Sequence, residues 1–209
     1  MKDQESNSLI QAAGAMPHTL AQDMVRLKAL LKEGLQPNLK AKDGMRILNL
    51  ACGRCDEAET LVTVGKELVG ETNPVEMIGA DIRIREILQA REHHANLPAK
   101  FLIEDATQIS RHKELGEDFN LVFLRHQNFW HGQELWKKIF DQGIARLDEN
   151  GLLVITSYFD VEHRLALDAL KAIGMEVVSN KRNTASRALK DAPGKSVDRW
   201  VAVLRRKQG

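Results

Sequence analysis

The chain has 209 residues, with 30 lysines and arginines against 29 aspartates and glutamates and a formal net charge of +1. This length fits one domain built around a single sizeable hydrophobic core. The near balance of charge excludes a global field that would draw the protein onto nucleic acid or an anionic membrane. We therefore expect no membrane partner, and nucleic acid is disfavoured as a partner.

The expected compartment follows from the polar start of the chain and from its cysteines. Residues 1–8 lack the positive and then apolar pattern of a signal peptide, and no eighteen apolar residues run together. The two cysteines, Cys52 and Cys55, are too close in sequence to staple a fold. We expect a cytoplasmic protein in a reducing environment.

The predicted elements begin with an amphipathic helix before the first strand. Its apolar residues recur at helical spacing and are Leu20, Met24, Leu27 and Leu31. The stripe is expected to end at Gly34, and a polar linker over residues 36–43 follows. We interpret residues 1–40 as an amino-terminal helical accessory segment that pads the sheet more readily than it covers a ligand cleft. Residues 41–209 form the main domain.

From residue 45 onward, short apolar runs alternate with segments of helical periodicity. The runs predict seven strands, at residues 45–50, 75–80, 100–103, 120–124, 152–157, 175–179 and 200–204. Two of the predicted helical faces consist of Leu135, Ile139 and Phe140, and of Val161, Leu165 and Ala169, with Asp160 as the cap of the second helix and Gly174 at its far end.

The alternation predicts an α/β fold, a three-layer, doubly wound, seven-stranded sheet that is mostly parallel. Residues 180–199, between the last two strands, are polar and interrupted by glycine and proline. They make a poor crossover helix, so we expect the last strand to be antiparallel.

The turn after the first strand carries the strongest indication of a ligand. Its small residues, with Gly53 at the centre, let a ligand approach the backbone at the carboxyl end of the strand, although they could equally serve only tight packing. A dinucleotide site would need a fuller Gly-x-Gly-x-x-Gly turn. Asp56 and Glu57 open the next helix and would repel phosphate, which favours a cationic ligand such as S-adenosylmethionine; the helix dipole alone also explains these acids.

Two aspartates follow the next two strands. Asp81 can accept hydrogen bonds from a ribose diol, or it can simply cap the following helix. Asp105 can accept from an exocyclic amine. Three features at the carboxyl ends of neighbouring strands point to one nucleoside-shaped crevice.

Five segments of this chain resemble the ordered motifs of the class I, Rossmann-like S-adenosylmethionine-dependent methyltransferases, and they cover residues 47–61, 77–82, 101–106, 119–124 and 147–156. The resemblance implies S-adenosylmethionine as the cofactor. It implies cofactor contacts from Asn49, Ala51, Cys52, Gly53, Asp81, Ile82, Asp105, Ala106 and Arg125. The chain departs from the family at Asn49, where an acid is usual, and at Ala51 and Cys55, where glycines are usual. A non-catalytic S-adenosylmethionine-binding regulatory protein therefore remains an alternative.

Polar and aromatic residues cluster after the fourth and fifth predicted strands, as in a substrate pocket. The candidate catalytic residues are His126 and His163 as proton acceptors, with Glu162 to orient a histidine or to compete with it. The candidate substrate-binding residues are Asn128, Trp130 and Tyr158, although Phe129 and Trp130 could instead be core. Residues 125–128 lack the Asp/Asn-Pro-Pro-aromatic sequence of some nucleic-acid methyltransferases, so we expect a small-molecule acceptor.

Three further patterns support weaker alternatives. Lys181, Arg182, Arg187, Lys190 and Lys195 could contact phosphates or an acidic substrate, or could form a solvated loop. The Cys-x-x-Cys spacing of residues 52–55 is shared with thiol redox proteins. Adjacent histidines at 93–94 cannot face one ion, so we expect surface residues and no metal.

Overall fold

The computed structural model describes residues 18–207. Its centre is a seven-stranded sheet in the order β3-β2-β1-β4-β5-β7-β6. The strands are β1 Met45–Leu50, β2 Val75–Asp81, β3 Ala99–Ile103, β4 Phe119–Arg125, β5 Leu147–Ser157, β6 Met175–Arg182 and β7 Trp200–Arg206. The first five strands pair in parallel, and β7 runs antiparallel between β5 and β6. The predicted sheet and its reversed last strand are confirmed.

Helices cover both faces of the sheet. They are α1 His18–Leu35, α2 Ala58–Val69, α3 Ile84–His93, α4 Gln133–Arg146 and α5 Asp160–Ala172, with short 3-10 helices at Ala106–Arg111 and Lys113–Leu115. Alternate strand residues point to opposite faces, so Ile47 belongs to the core beneath α1, α2 and α3 and Leu48 to the core beneath α4 and α5. The expected three-layer arrangement follows from these two cores.

Helix α1 packs on the sheet against β6 and β7. Met24, Leu27, Leu31 and Leu35 are buried in the same core as β7 residues Val201 and Val203. Lys28 and Lys32 pair with Glu67 of α2, which ties the two helices together. Gly34 lies inside the helix, and a Cβ atom there would meet Val203 at 2.8 Å, so close packing and not helix termination explains this glycine.

Two details of the predicted helices are wrong. Val161 of the predicted face of α5 is exposed, whereas Leu165 and Ala169 pack partly buried against the core. The buried apolar residues of the helix are Ala166, Leu167 and Leu170. Asp160 is the first residue of the helix and does not cap it, because its carboxylate accepts hydrogen bonds from Arg199 and Trp200.

The expectation that both adjacent histidines lie on the surface is also wrong for one of them. His94 is buried and its ring lies 5.6 Å from that of Phe101, whereas His93 is exposed. Burial lowers the pKa of His94 below its ordinary value. The neutral ring therefore packs as a core side chain.

Candidate functional site

A cavity of about 660 Å³ opens at the carboxyl ends of β1, β2 and β4, and we call it the strand-end cavity. Parallel neighbours end at one edge of a sheet, so the turns after these strands meet there. The predicted site residues that line the cavity are Ala51, Cys52, Gly53, Asp81, Ile82, Asp105, Ala106, Arg125, His126 and Tyr158. The three sequence features expected to converge therefore lie on one cavity.

The turn after β1 places three residues in the left-handed region of backbone space, and only one of them is glycine. Ala51, Gly53 and Cys55 have φ angles of 53°, 57° and 55°. This left-handed region costs a residue with a Cβ atom roughly 1–2 kcal/mol. At Gly53 a Cβ atom would also lie 2.8 Å from the Arg83 guanidinium. Ala51 and Cys55 thus stand at backbone positions that favour glycine, and both carry strain.

Asp81, the last residue of β2, joins this turn to the start of α3. Its Oδ2 accepts a hydrogen bond from the Gly53 amide at 2.8 Å, and its Oδ1 accepts from the Arg83 amide at 2.9 Å. The Arg83 side chain donates to both oxygens, at 2.9 and 3.1 Å. Burial alone would raise the pKa of Asp81, but the bonds from Arg83 and Gly53 lower it below its ordinary value. The carboxylate is ionised and aligned at the cavity wall.

Asp105 and Ile82 provide a second part of the wall. The Asp105 carboxylate accepts from the Thr107 hydroxyl and amide and from Gln108, and the hydroxyl bond contributes most to lowering the pKa of Asp105. It therefore caps the 3-10 helix that follows β3. Ile82 lines the same cavity with 65% of its surface exposed, an apolar area that a flat ring could cover.

Glu57, directly before α2, places a carboxylate near the end of β1, where Asn49 stands in place of the acid of the family pattern. Asn49 is fully buried and does not line the cavity; its Nδ2 donates to Glu57 Oε1 at 2.5 Å. Arg125 donates to Glu57 Oε2 at 3.3 Å. Glu57 is buried and lines the strand-end cavity, so Asn49 positions this acid instead of facing a ligand.

Asp198 holds two residues that line the cavity, Arg125 and His126, and the sequence pattern gives no sign of this role. Arg125 donates to both of its oxygens, at 3.0 and 2.7 Å, and Oδ1 lies 2.8 Å from His126 Nε2. Burial raises the pKa of Asp198, but Arg125 and His126 outweigh it and hold that pKa below its ordinary value. The residue reaches this edge because β7 is antiparallel and its first residue, Trp200, pairs with Ser157 at the end of β5.

His126 and Tyr158 form an aromatic pair on the cavity wall. Their ring centroids are 3.8 Å apart and the rings are stacked. Burial lowers the pKa of His126 below its ordinary value despite the neighbouring Asp198, and burial also raises the pKa of Tyr158. Both side chains are therefore neutral at pH 7. His126 has a φ of 59°, so the chain holds this ring at a strained position.

Two predicted catalytic residues do not reach the strand-end cavity. Glu162 is buried and accepts the Phe129 amide at 3.1 Å. His163 is buried between Ser157, at 3.1 Å from Nδ1, and Asn180, at 2.8 Å from Nε2, and it stacks on Trp200. These contacts explain both residues as parts of the packing between α5 and the sheet.

The predicted substrate residues Asn128 and Trp130 do not line the cavity either. Asn128 is exposed, and Trp130 is 43% exposed with its ring 5.2 Å from that of Phe159. Phe129, by contrast, is buried and stacked on Phe140, as the core interpretation of this segment expects.

The described residues offer little support for redox or metal chemistry. Cys55 is fully buried, and burial raises the pKa of its thiol well above the ordinary value, which disfavours a reactive thiolate. Within residues 18–207, no group of three or more His, Cys, Asp or Glu side chains could hold a metal ion. None of the helices in that range has the length and apolar character needed to cross a membrane.

Comparison with known proteins identifies the fold. No family model matches the chain, and no curated protein matches it. A S-adenosylmethionine-dependent methyltransferase from Clostridium acetobutylicum is similar with a TM-score of 0.60 and 11% identity, over 99% of this chain and 98% of that one. A second such enzyme, from Leishmania major, has a TM-score of 0.64 and 12% identity, over 93% and 76% of the two chains.

A third solved structure, the N-methyltransferase NodS from Bradyrhizobium japonicum, has a TM-score of 0.60 and 13% identity, over 88% of this chain and 97% of that one. The chain therefore has the fold of the S-adenosylmethionine-dependent methyltransferases, as the resemblance of its motifs implies.

Proposed function

We propose that this chain is a S-adenosylmethionine-dependent methyltransferase that binds its cofactor in the strand-end cavity and acts on a small-molecule acceptor. The single observation that carries the proposal is the meeting of Gly53, Asp81 and Asp105 on one cavity beside the exposed Ile82. Its volume, about 660 Å³, lies within the range of small-molecule and cofactor sites.

The charge of the cavity fits a cationic ligand better than a pyrophosphate. Three guanidinium groups line it, from Arg54, Arg83 and Arg125. Five carboxylates line it as well, from Asp56, Glu57, Asp81, Glu86 and Asp105. The surplus of negative charge attracts a sulfonium and an ammonium and opposes phosphate.

Each wall residue has a distinct role in this proposal. The turn from Ala51 to Gly53 lies against the methionine part, where Glu57 accepts from the ammonium group. Asp81 accepts from the ribose hydroxyls, Ile82 packs on the adenine, and Asp105 and Ala106 face the adenine edge. We assign no role in cofactor contact to Asn49, which supports Glu57 from behind.

S-Adenosylmethionine, when bound, supplies an activated methyl group, so the protein has mainly to hold an acceptor in line with it. The proton of an amine or hydroxyl acceptor passes to Nδ1 of the neutral imidazole of His126, because Nε2 faces Asp198. Asp198, at 2.8 Å from Nε2, positions that ring and stabilises it once it is protonated. Tyr158 forms the adjoining wall.

The small-molecule acceptor rests on the net charge of +1 and on the absence of the nucleic-acid amine motif after β4. Nucleic acid stays the disfavoured partner. The cytoplasmic location stays a prediction from the cysteine content.

Turnover of a panel of amine, hydroxyl, thiol and carboxylate acceptors tests the proposal, with formation of S-adenosylhomocysteine as the readout. Replacing His126 with Asn should lower kcat on an active acceptor roughly 100-fold while S-adenosylhomocysteine still binds. The exposed neighbour His131, replaced in the same way, is the control and should retain full turnover.

A regulatory protein that binds the cofactor without catalysis is the second candidate. Ala51 and Cys55 replace glycines of the family pattern and strain the loop proposed to hold the cofactor. Cofactor binding without product from any acceptor would favour this candidate. A redox protein would require selective alkylation of Cys55 at neutral pH, which its burial opposes.

A further inference from the structure

A second cavity, of about 480 Å³, lies in the segment that joins β6 to β7, and we call it the loop cavity. Four basic side chains line it, from Arg182, Lys190, Lys195 and Arg199. Within the described part of the chain, its lining includes no carboxylate. Three of the five basic residues whose role the sequence left open, Arg182, Lys190 and Lys195, therefore line this cavity.

Nearby acids neutralise only part of this charge. Asp160 lies 2.7 Å from Arg199 and Asp191 lies 2.6 Å from Lys195. Arg182 reaches Asp160 only at 3.9 Å, and Lys190 makes no ion pair with any residue in the range 18–207. The loop cavity is left with an excess of two positive charges and with at least one lysine free to donate.

Residues that line the two cavities come into contact at Tyr158. Tyr158 lines the strand-end cavity, and Lys195 Nζ lies 4.7 Å from the centroid of the Tyr158 ring. The Ser196 amide donates to the Tyr158 carbonyl at 3.2 Å. Tyr158 therefore contacts the loop cavity through Lys195 and the strand-end site through the His126 ring stacked on it.

We propose that the loop cavity binds an oxyanion group, a carboxylate or a phosphate, of the methyl acceptor. The acceptor is then a small anion whose nucleophile reaches the strand-end cavity past Tyr158, while Lys190, Arg182 and Lys195 hold its charge. The identification of this ligand as the acceptor rests on the proposed function; the anion site itself rests on the charges and the concave shape.

Amide NMR tests the proposal. The protein is first saturated with S-adenosylhomocysteine and is then titrated with inorganic phosphate or with acetate at constant ionic strength. Resonances of residues 183–199 should shift with millimolar affinity, and the Tyr158 amide should shift with them. Lys190→Gln should weaken phosphate binding roughly tenfold, because one charge-assisted hydrogen bond is lost. Lys190→Arg should restore it, and Lys171→Gln, an exposed lysine on α5, should not change it.

Shifts spread over the basic surface, or an equal affinity in Lys190→Gln, would overturn the proposal. If a single-stranded oligonucleotide shifts the same resonances and binds more tightly than phosphate, the small-anion proposal is wrong and the loop cavity binds nucleic acid. Binding of S-adenosylhomocysteine is measured separately on each variant. If phosphate binds but S-adenosylhomocysteine does not, the proposed function and the assignment of the acceptor are both wrong. If S-adenosylhomocysteine binds but phosphate does not, only the anion site is wrong.

Discussion

The Asp81 carboxylate already accepts four hydrogen bonds within the protein, and this determines how a ribose could bind to it. Two of its hydrogen bonds come from backbone amides, at Gly53 and Arg83, and two come from the Arg83 guanidinium. The Arg83 side chain is 59% exposed, so its ion pair is screened by solvent and weak. A ribose diol has to take the place of this guanidinium while the backbone bonds keep the carboxylate in position.

Replacing Arg83 with Gln should therefore tighten S-adenosylhomocysteine binding. The competing ion pair is lost, and the expected gain is about a fivefold lower Kd, or about 1 kcal/mol, by calorimetry. Arg85→Gln removes an equal charge from an exposed position two residues away and serves as the control. Weaker binding in Arg83→Gln alone would mean that the guanidinium contacts the ligand directly.

Strain at Ala51 provides a second test at this scale. Its φ of 53° favours glycine, so Ala51→Gly should raise the free energy of unfolding by about 1 kcal/mol. Ala169→Gly, in the interior of α5, should lower it by a similar amount because glycine is a poor helix former. Urea denaturation measures both variants. Destabilisation by both would show that Ala51 is not strained.

Residues at the carboxyl end of a strand or within three residues after it were predictable from the sequence, because neighbouring parallel strands end at one edge of the sheet. Gly53, Asp81 and Asp105 are of this kind, and all three line the cavity. Glu57 and Asp198 were not identified as site residues. Glu57 looked like an acid for the helix dipole, and Asp198 precedes an antiparallel strand, so its place depends on the pairing of β7 with β5.

At the scale of whole elements, apolar periodicity located all seven strands and the main helices, but it predicted only part of the buried face of α5. Glu162 and His163 are polar residues that occupy buried positions on that face. A pattern based on hydrophobicity leaves such residues on the outside. Their hydrogen bonds to the Phe129 amide, Ser157 and Asn180 make burial possible, and two of these partners, Phe129 and Asn180, are distant in sequence.

The buried His163 predicts how stability depends on pH. Burial lowers its pKa in the folded state below the ordinary value near 6.5, despite the Asn180 bond and Asp160. The unfolded chain thus binds the proton more tightly, and the stability contributed by neutral His163 is present above about pH 6.5 and is lost as the pH falls.

His163→Gln should make the unfolding free energy less dependent on pH between 7 and 5, measured by urea denaturation. One histidine can contribute a slope of at most about 1.4 kcal/mol per pH unit, and His94 and His126 keep part of the slope in the variant. His93→Gln, at an exposed position, is the control. An unchanged slope in His163→Gln would contradict the burial of a neutral ring.

On the scale of the whole molecule, a net charge near zero conceals two regions of opposite sign. The strand-end cavity carries a surplus of carboxylates, and the loop cavity carries a surplus of basic groups. Both lie at the edge where the parallel strands end and β7 begins. Composition reports only the sum of the charges, so this separation could not be seen before the sheet order was known.

Calorimetric titration with S-adenosylhomocysteine, on the parent chain and on Asp81→Asn, tests the central claim most directly. We predict a micromolar Kd, on the order of −7 to −8 kcal/mol, for the parent and a loss of most of that binding in the variant. The exposed Asp168→Asn should bind like the parent, and thermal unfolding without ligand checks that each variant is folded. Equal binding by folded Asp81→Asn, or a preference of the parent for a dinucleotide, would contradict the claim that this cavity holds S-adenosylmethionine.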